Sequence, residues 1–141
     1  MKIRPSGLLI VEDKLLTLKY NYNGNEVFAL PGGNQENQDG LKETLIREFE
    51  EELNLKISVH DLVLVAESLN NKGIKILHLV FKVDCENPQP IINPEQTSCF
   101  GFDWLSMSEL DKINLYPNLS HHLNKPNQNQ VFLGLLNQQW F

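Results

Sequence analysis

The chain has 141 residues, of which 41% are hydrophobic and 21% charged, the size and mixture of one globular domain with a buried core. Its formal net charge of -6 excludes bulk binding of nucleic acid, because the surface as a whole repels phosphates. No apolar run approaches the roughly 20 residues that cross a bilayer, and the first residues lack the apolar core of a signal peptide. We therefore expect a cytoplasmic protein without a membrane partner.

The first third of the chain predicts three strands and a sharp turn. Residues 3–11 are rich in apolar side chains and residues 15–20 alternate loosely, so the polar residues 12–14 between them indicate a β-hairpin. A short apolar strand at 27–30 ends at the sequence Pro-Gly-Gly of residues 31–33, where two glycines permit backbone angles closed to other residues. The chain must turn sharply there.

Residues 41–53 show the clearest helical pattern of the chain. Most of them are good helix formers, and their apolar members fall on one stripe when each residue advances by about 100°. The stripe consists of Leu45, Ile46, Phe49 and Leu53. We expect this stripe to face the core.

The second half of the chain predicts further strands. Residues 57–66 and 74–83 flank a polar turn at 70–73, and residues 100–105 follow a long polar loop at 85–98. The chain contains no internal repeat. We therefore treat residues 1–141 as a single domain.

The C-terminal region predicts one more helix, a linker and a tail. Ser106 and Glu109 form a capping-box pattern, so a helix should begin at Met107. Residues 124–130 are almost entirely Asn, Gln, Lys and Pro, which indicates an exposed polar linker before the apolar tail 131–141. Pairing of this tail between subunits would produce a homodimer.

Three carboxylates share one side of the predicted helix. Glu48, Glu51 and Glu52 lie within an arc of roughly 100°. Like charges at this spacing repel one another, and acidic groups near a helix C-terminus oppose its dipole. A hard cation such as Mg²⁺ would remove the repulsion, because it prefers oxygen ligands and binds through a few carboxylates plus substrate phosphates. A solvated acidic helix face is the alternative.

The segment 33–55 resembles the signature of the Nudix hydrolases. That pattern runs glycine, five residues, glutamate, seven residues, then Arg-Glu-aliphatic-x-Glu-Glu-x-Gly-aliphatic. Gly33, Asp39 and the run REFEEELNL at 47–55 keep this spacing without a gap. Asp39 replaces the family's glutamate, and Asn54 replaces its glycine after the helix.

The two departures differ in their expected effect. Asparagine is the next best residue after glycine at a left-handed helix C-cap, so Asn54 should leave the fold intact. Asp39 keeps the charge but is shorter by one methylene. We expect a weakened contact with Arg47 and reduced activity.

The resemblance implies an α+β fold, an α/β/α sandwich with a mixed β-sheet, and a site for Mg²⁺ or Mn²⁺. The implied metal-binding residues are Gly32 and Gly33, through a backbone carbonyl, and Glu48, Glu51 and Glu52. The implied catalytic residues are Glu51, Glu52, Arg47, which would orient the carboxylates, and Glu95. Glu52 and Glu95 are alternative general bases, and an ordinary exposed loop residue is the other interpretation of Glu95.

The implied reaction is hydrolysis of a pyrophosphate bond in a nucleoside diphosphate linked to another group, of ADP-ribose or sugar nucleotide type. A house-cleaning pyrophosphatase that acts on nucleoside triphosphates and a non-catalytic nucleotide-sensing module are the alternatives. The intact Glu48, Glu51 and Glu52 argue against the sensing module.

Three residues outside the signature are candidates for substrate binding. Arg4 could hold a phosphate and Tyr20 or Phe28 could stack a base, although aromatic residues at such positions equally form part of the core. His78 alternates within an apolar strand, so we expect it to face outward and leave it out of the site.

Overall fold

The computed structural model describes residues 1–36, 38–125 and 129–138. Two α-helices and one 3₁₀ helix lie in this part of the chain, α1 at Leu41–Leu53, the 3₁₀ helix at Met107–Lys112 and α2 at Ser120–Asn124. The strands are β1 (Lys2–Val11), β2 (Lys14–Tyr22), β3 (Asn25–Ala29), β4 (Ile57–Leu69), β5 (Lys75–Cys85), β6 (Gly101–Ser106), β7 (Leu115–Tyr116) and β8 (Phe132–Leu135). None of the described helices is long and apolar enough to cross a membrane.

The strands form one mixed sheet. Their order is β7-β3-β2-β1-β5-β4-β8, and β6 also pairs with β2. The pairs β1–β5, β3–β7 and β4–β8 are parallel, while the hairpin partners and the β2–β6 pair are antiparallel. The predicted mixed β-sheet is confirmed.

Both faces of the sheet are buried, because consecutive residues of a strand point to opposite faces. Leu8 belongs to a cluster with Leu110 and Leu119 beneath the 3₁₀ helix and α2. Leu9 belongs to a second cluster with Leu45 and Phe49 beneath α1. Helices therefore cover both faces, and the expected α/β/α layering is confirmed.

The sheet opens between β1 and β2. The two strands pair only beside their connecting turn, at Ile10 with Leu15 and Val11 with Lys14. Farther along β1, residues 31–35 occupy the free edge: the Gly7 amide donates to the Pro31 carbonyl, and the Gln35 amide to the Ile3 carbonyl. The Pro-Gly-Gly turn is thereby fixed in the opening of the sheet.

The structure corrects the predicted buried face of α1. Ile46 is 39% exposed, whereas Thr44 is fully buried. Ile46 lies about 100° around the helix from Leu45, at the edge of the face that meets the sheet. Asn54 has φ 54° and ψ 37° at the C-cap, so the predicted left-handed cap is confirmed.

The C-terminal predictions have mixed outcomes. The element that begins at Met107 is a 3₁₀ helix, with the Glu109 carboxylate accepting from the Ser106 amide at 3.2 Å. Residues 132–135 of the tail form β8, which pairs with β4. Residues 126–128 of the predicted linker and 139–141 of the tail lie outside the described residues.

Candidate active site

The glycine segment and α1 meet at close range. The Phe49 ring lies against β1 at Gly7, where a Cβ would come within 2.9 Å of two ring carbons, so a larger residue would displace the helix. A Cβ on Gly33 would lie 2.8 Å from the Glu48 carboxyl carbon. The backbone of the turn therefore approaches the Glu48 carboxylate as closely as glycine alone allows.

Glu48 and Glu52 form a hydrogen-bonded carboxyl pair at this contact. Both side chains are half-buried, and a hydrogen bond joins them. Burial raises the pKa of each, and for Glu52 the neighbouring Glu48 charge raises the pKa further. Two carboxyl groups joined in this way share a proton, which a divalent cation would replace.

Glu51 occupies a more open position than predicted. It is exposed and lines a shallow surface depression with Glu43, Arg47 and Glu50, although its charge still raises the pKa of Glu48 and of Glu52. Across residues 1–36, 38–125 and 129–138, no three His, Cys, Asp or Glu side chains converge on one point.

The arrangement nevertheless fits Mg²⁺. This ion keeps several waters and needs only one or two protein carboxylates besides substrate phosphates. The Glu48–Glu52 pair and the adjacent backbone at Gly33 supply oxygen donors of that kind. Gly32 is anchored next to it by a bridge to Ser6 on β1.

Arg47 contacts Asp39, as the spacing of the signature predicts. The Arg47 Nη2 and Asp39 Oδ2 atoms are 3.6 Å apart, which is too long for a hydrogen bond. Within the described ranges, Nε and Nη2 of Arg47 are buried with no hydrogen-bond partner. The shorter aspartate thus leaves the guanidinium under-satisfied, in the direction expected from the sequence.

The loop that carries Glu95 is fastened to the C-terminus of α1. The Asn93 amide donates to the Glu52 carbonyl and the Ile91 amide to the Leu53 carbonyl, both at 2.9 Å. Glu95 is exposed, and its amide donates to the Asn93 side chain. The loop thus places Glu95 two residues from a direct backbone contact with Glu52.

A cavity of about 350 Å³ opens at residues of β1, β2 and β3 and of the turn between β4 and β5. Its volume lies within the range of ligand sites in proteins. Its walls are mostly aromatic and polar, and comprise Arg4, Tyr20, Tyr22, Val27, Ala29, Asn70, Asn71, Ile76, Tyr116 and Gln138. Tyr20 and Tyr22 stack with ring centroids 6.0 Å apart.

Tyr20 and Arg4 connect the cavity to the carboxyl pair. Burial raises the pKa of Tyr20 to about 12, and the Glu52 charge acts in the same direction. The Tyr20 hydroxyl bonds to Thr97 at 3.2 Å. Arg4 donates to the Leu30 carbonyl at 3.0 Å, and its charge opposes the rise in the Glu52 pKa that burial and Glu48 cause.

Phe28 lies in the core. Its side chain is 8% exposed and packs in the cluster that includes Leu8 and Leu110, whereas its neighbours Val27 and Ala29 line the cavity. Alternation along β3 explains this placement, since adjacent residues of a strand face opposite sides. The structure therefore groups Phe28 with the core, and the function proposed below does not use it.

The predicted outward orientation of His78 is wrong. The His78 side chain is fully buried, and burial followed by the Arg4 charge lowers its pKa to about 3. The apolar alternation around it was the available signal, because Ile76 and Val80, at the same parity of β5, are core residues.

The chain is similar to known proteins both in sequence and in fold. The sequence profile described as the NUDIX domain matches residues 2–125. A structure described as the MutT protein from Methanosarcina mazei superposes with a TM-score of 0.74 at 19% identity, covering 88% of this chain and 91% of that one. An ADP-ribose pyrophosphatase from Streptococcus suis gives 0.67 at 17% identity, covering 96% and 98%. A UDP-X diphosphatase gives 0.70 at 19% identity, covering 93% and 66%. At these identities the similarity concerns the fold.

Proposed function

This chain belongs to the Nudix hydrolase family, and we propose that it hydrolyses, with Mg²⁺ or Mn²⁺, the pyrophosphate bond of a nucleoside diphosphate linked to another group. The observation that carries the proposal is the hydrogen-bonded Glu48–Glu52 pair, with Glu48 held against Gly33. Two residues that line the cavity, Arg4 and Tyr20, interact electrostatically with Glu52. The pair provides oxygen donors for a cation, and the cavity provides room for a nucleoside.

The proposed metal ligands are the three signature glutamates and the glycine turn. Glu48 and Glu52 would contribute their carboxylates, Glu51 would join them from the exposed side, and a carbonyl of Gly32 or Gly33 would complete the protein ligands. A bound divalent ion neutralises phosphate charge and acidifies water. Arg47, paired with Asp39, would hold the C-terminal half of α1 in the orientation that presents these carboxylates.

The general base is proposed to be Glu52. In the hydrogen bond of the Glu48–Glu52 pair, Glu52 is the protonated donor and Glu48 the acceptor, and burial raises the pKa of Glu52, so Glu52 has the higher affinity for a proton. Glu95 is the second candidate, because its loop is bonded to the backbone of Glu52. The two assignments differ in which Glu→Gln substitution abolishes turnover at saturating metal.

The proposed substrate contacts are Arg4 and Tyr20. Arg4 lines the cavity and its charge acts on Glu52, so its guanidinium would bind an anionic phosphate oxygen there. The Tyr20 and Tyr22 rings offer flat apolar surface on which a base can stack. The ADP-ribose pyrophosphatase and the UDP-X diphosphatase among the structural relatives support a substrate of this class.

The proposal is tested by product release from a panel of ADP-ribose, UDP-glucose, dinucleoside polyphosphates and nucleoside triphosphates, with Mg²⁺ or Mn²⁺. We expect metal-dependent cleavage of the first two substrates, lost in Glu52→Gln and retained in the matched exposed variant Glu50→Gln. Preferential cleavage of triphosphates would instead identify a house-cleaning pyrophosphatase. Binding of nucleotides without any turnover would identify a sensing module and contradict the proposal.

The possible homodimer remains a prediction. Phe132 and Leu135 of β8 are 56% and 60% exposed, which leaves apolar surface for pairing between subunits. Light scattering of the wild type and of a Phe132→Ser variant would test it: a dimer that dissociates in the variant supports pairing through the tail, and a monomeric wild type excludes it.

A further inference from the structure

A buried histidine lies next to the cavity arginine, on the neighbouring strand of the sheet. His78 on β5 is opposite Arg4 in the parallel register of β1 and β5, and opposite Ala66 on β4. It does not line the cavity. Its place in the middle of the sheet therefore requires an explanation other than direct contact with substrate.

His78 is held from one side and contacts an aromatic ring on the other. Its Nε2 atom forms a 2.7 Å hydrogen bond with the Ser68 hydroxyl on β4. Its ring meets the Tyr116 ring edge to face, with centroids 5.4 Å apart and an interplanar angle of 81°. This pair geometry is favourable for two aromatic rings and restricts the orientation of both.

The Tyr116 ring in turn supports Arg4. The guanidinium carbon of Arg4 lies 5.1 Å from the centroid of that ring, within the range of cation–π attraction. The Nη2 atom of the guanidinium also donates a hydrogen bond to the Leu30 carbonyl at 3.0 Å. The ring face therefore restrains the plane of the guanidinium in addition to this hydrogen bond.

One donor atom of the Arg4 guanidinium, Nη1, is available to bind a ligand. In the part of the chain that the structure describes, this atom is buried and has no hydrogen-bond partner. A buried unpaired donor is costly, and an anionic oxygen of a ligand in the cavity would satisfy it. The direction of this donor depends on the plane of the guanidinium and hence on the Tyr116 ring.

Charge also favours this arrangement. His78 is neutral at physiological pH, because burial and then the Arg4 charge lower its pKa to about 3. A neutral imidazole can pack near the guanidinium without repelling it. A lysine or a protonated histidine at this position would repel the charge that the site needs.

We propose that His78, anchored by Ser68, is a positioning residue that fixes the Tyr116 ring and, through it, the Arg4 guanidinium that binds an anionic group of the substrate. The inference rests on the proposed function for the identity of the ligand. The orientation of Arg4 in the free protein does not depend on that function, so the two can fail separately.

The first experiment follows the Nε–H resonance of Arg4 by NMR, assigned by its loss in Arg4→Lys. The Tyr116 ring current should set the position of this resonance in the wild type. We expect it to shift in His78→Gln and in Ser68→Ala, and to stay unchanged in the control His60→Gln, which alters an exposed histidine on β4 paired with Asp84. Should His78→Gln fail to fold, Ser68→Ala decides the result. An unchanged Arg4 resonance in folded His78→Gln or folded Ser68→Ala would overturn the proposal.

The second experiment measures the Kd for ADP with Mg²⁺ by calorimetry. We expect His78→Gln and Ser68→Ala to weaken binding by about threefold to tenfold, as for one impaired hydrogen bond. The loss should disappear in an Arg4→Gln background, because His78 acts through Arg4. An equal loss in both backgrounds would contradict positioning through Arg4. No ADP binding by the wild type would contradict the proposed function, and the NMR result would still decide the role of His78.

Discussion

The two halves of the candidate site are assembled in different ways. The carboxyl half, from Gly32 to Glu52, comes from one turn and the helix that follows it. The cavity half brings together residues of β1, β2, β3 and β7 and of the β4–β5 turn. A local motif fixes its own geometry, whereas the cavity exists only once the sheet has formed. Substitutions in the two halves should therefore have separable effects on kcat and on KM.

The largest expected effect is in the carboxyl half. Glu52→Gln should lower kcat by about 10²- to 10⁴-fold, because it removes the proposed base and a metal ligand. The raised Glu52 pKa means that the folded protein retains a proton that the unfolded chain releases, so stability falls as pH rises above the usual glutamate pKa. Glu52→Gln should remove this decrease in stability at high pH, because glutamine does not titrate.

Glu52→Gln should therefore have a higher metal-free Tm than the wild type at pH 8, measured by calorimetry, while turnover is lost. Glu50→Gln, an exposed glutamate of the same helix, should leave kcat unchanged. Equal losses of kcat in both variants would show that the helix charge as a whole, and not the carboxyl pair, supports the reaction.

The cavity half should respond through KM. Arg4→Gln should raise KM for ADP-ribose by about 10-fold to 100-fold, the size of a charge-assisted hydrogen bond, with a much smaller change in kcat. Arg4→Lys should recover only part of the loss, since an ammonium cannot reproduce the planar donor set. Steady-state kinetics with both variants provide the check, and a fall in kcat with unchanged KM would place Arg4 in the carboxyl half instead.

The pH dependence of stability isolates the contribution of His78, the buried residue proposed to position Arg4 in the cavity. The folded pKa of His78 is about 3, so the unfolded chain binds a proton near pH 6.5 that the folded protein refuses. Stability should fall as pH drops from about 6.5 toward 3, by up to about 1.4 kcal/mol per pH unit. The groups facing His78 are Arg4 from β1, Ser68 from β4 and Tyr116 from β7.

Denaturant unfolding of the wild type and of His78→Gln across this range would measure that slope. The variant should lose this part of the acid sensitivity, while His60→Gln should keep it. Identical slopes in the wild type and in His78→Gln would show that His78 takes up its proton without unfolding.

The smallest expected effect lies at the edge of the carboxyl half. Asp39→Glu lengthens the side chain toward Arg47, where the present 3.6 Å separation is too long for a hydrogen bond. We expect kcat to rise a few-fold. We also expect a small rise in Tm, because a partly exposed ion pair adds about 1 kcal/mol at most to the free energy of unfolding. Thermal unfolding and kcat of Asp39→Glu, with Asp39→Asn as the control, test whether the contact limits activity.

Much of the carboxyl half could be predicted from the sequence because its contacts are local. The two glycines indicated the turn, and the periodicity of residues 41–53 indicated the helix. The family resemblance implied the Asp39–Arg47 contact, and the left-handed Asn54 cap followed from residue chemistry. Periodicity was less accurate at the edge of α1, where it buried Ile46 in place of Thr44.

The cavity half was harder to predict because strand parity needs a register. Arg4 and Tyr20 line the cavity, whereas Phe28 belongs to the core, the alternative that the sequence had left open. A one-residue shift along a strand exchanges core and cavity. The burial of His78 was not predicted, because its partners Ser68 and Tyr116 come from other strands and become its neighbours only in the folded sheet.

The central claim is that the Glu48–Glu52 pair holds the divalent cation. Its most direct test is a Mn²⁺ titration followed by electron paramagnetic resonance, with wild type, Glu48→Gln, Glu52→Gln and the control Glu50→Gln. We expect the wild type and the Glu50→Gln control to remove the free Mn²⁺ signal with the same Kd, and Glu48→Gln and Glu52→Gln to bind Mn²⁺ at least about tenfold more weakly. Equal Mn²⁺ affinity in all four proteins would contradict this claim.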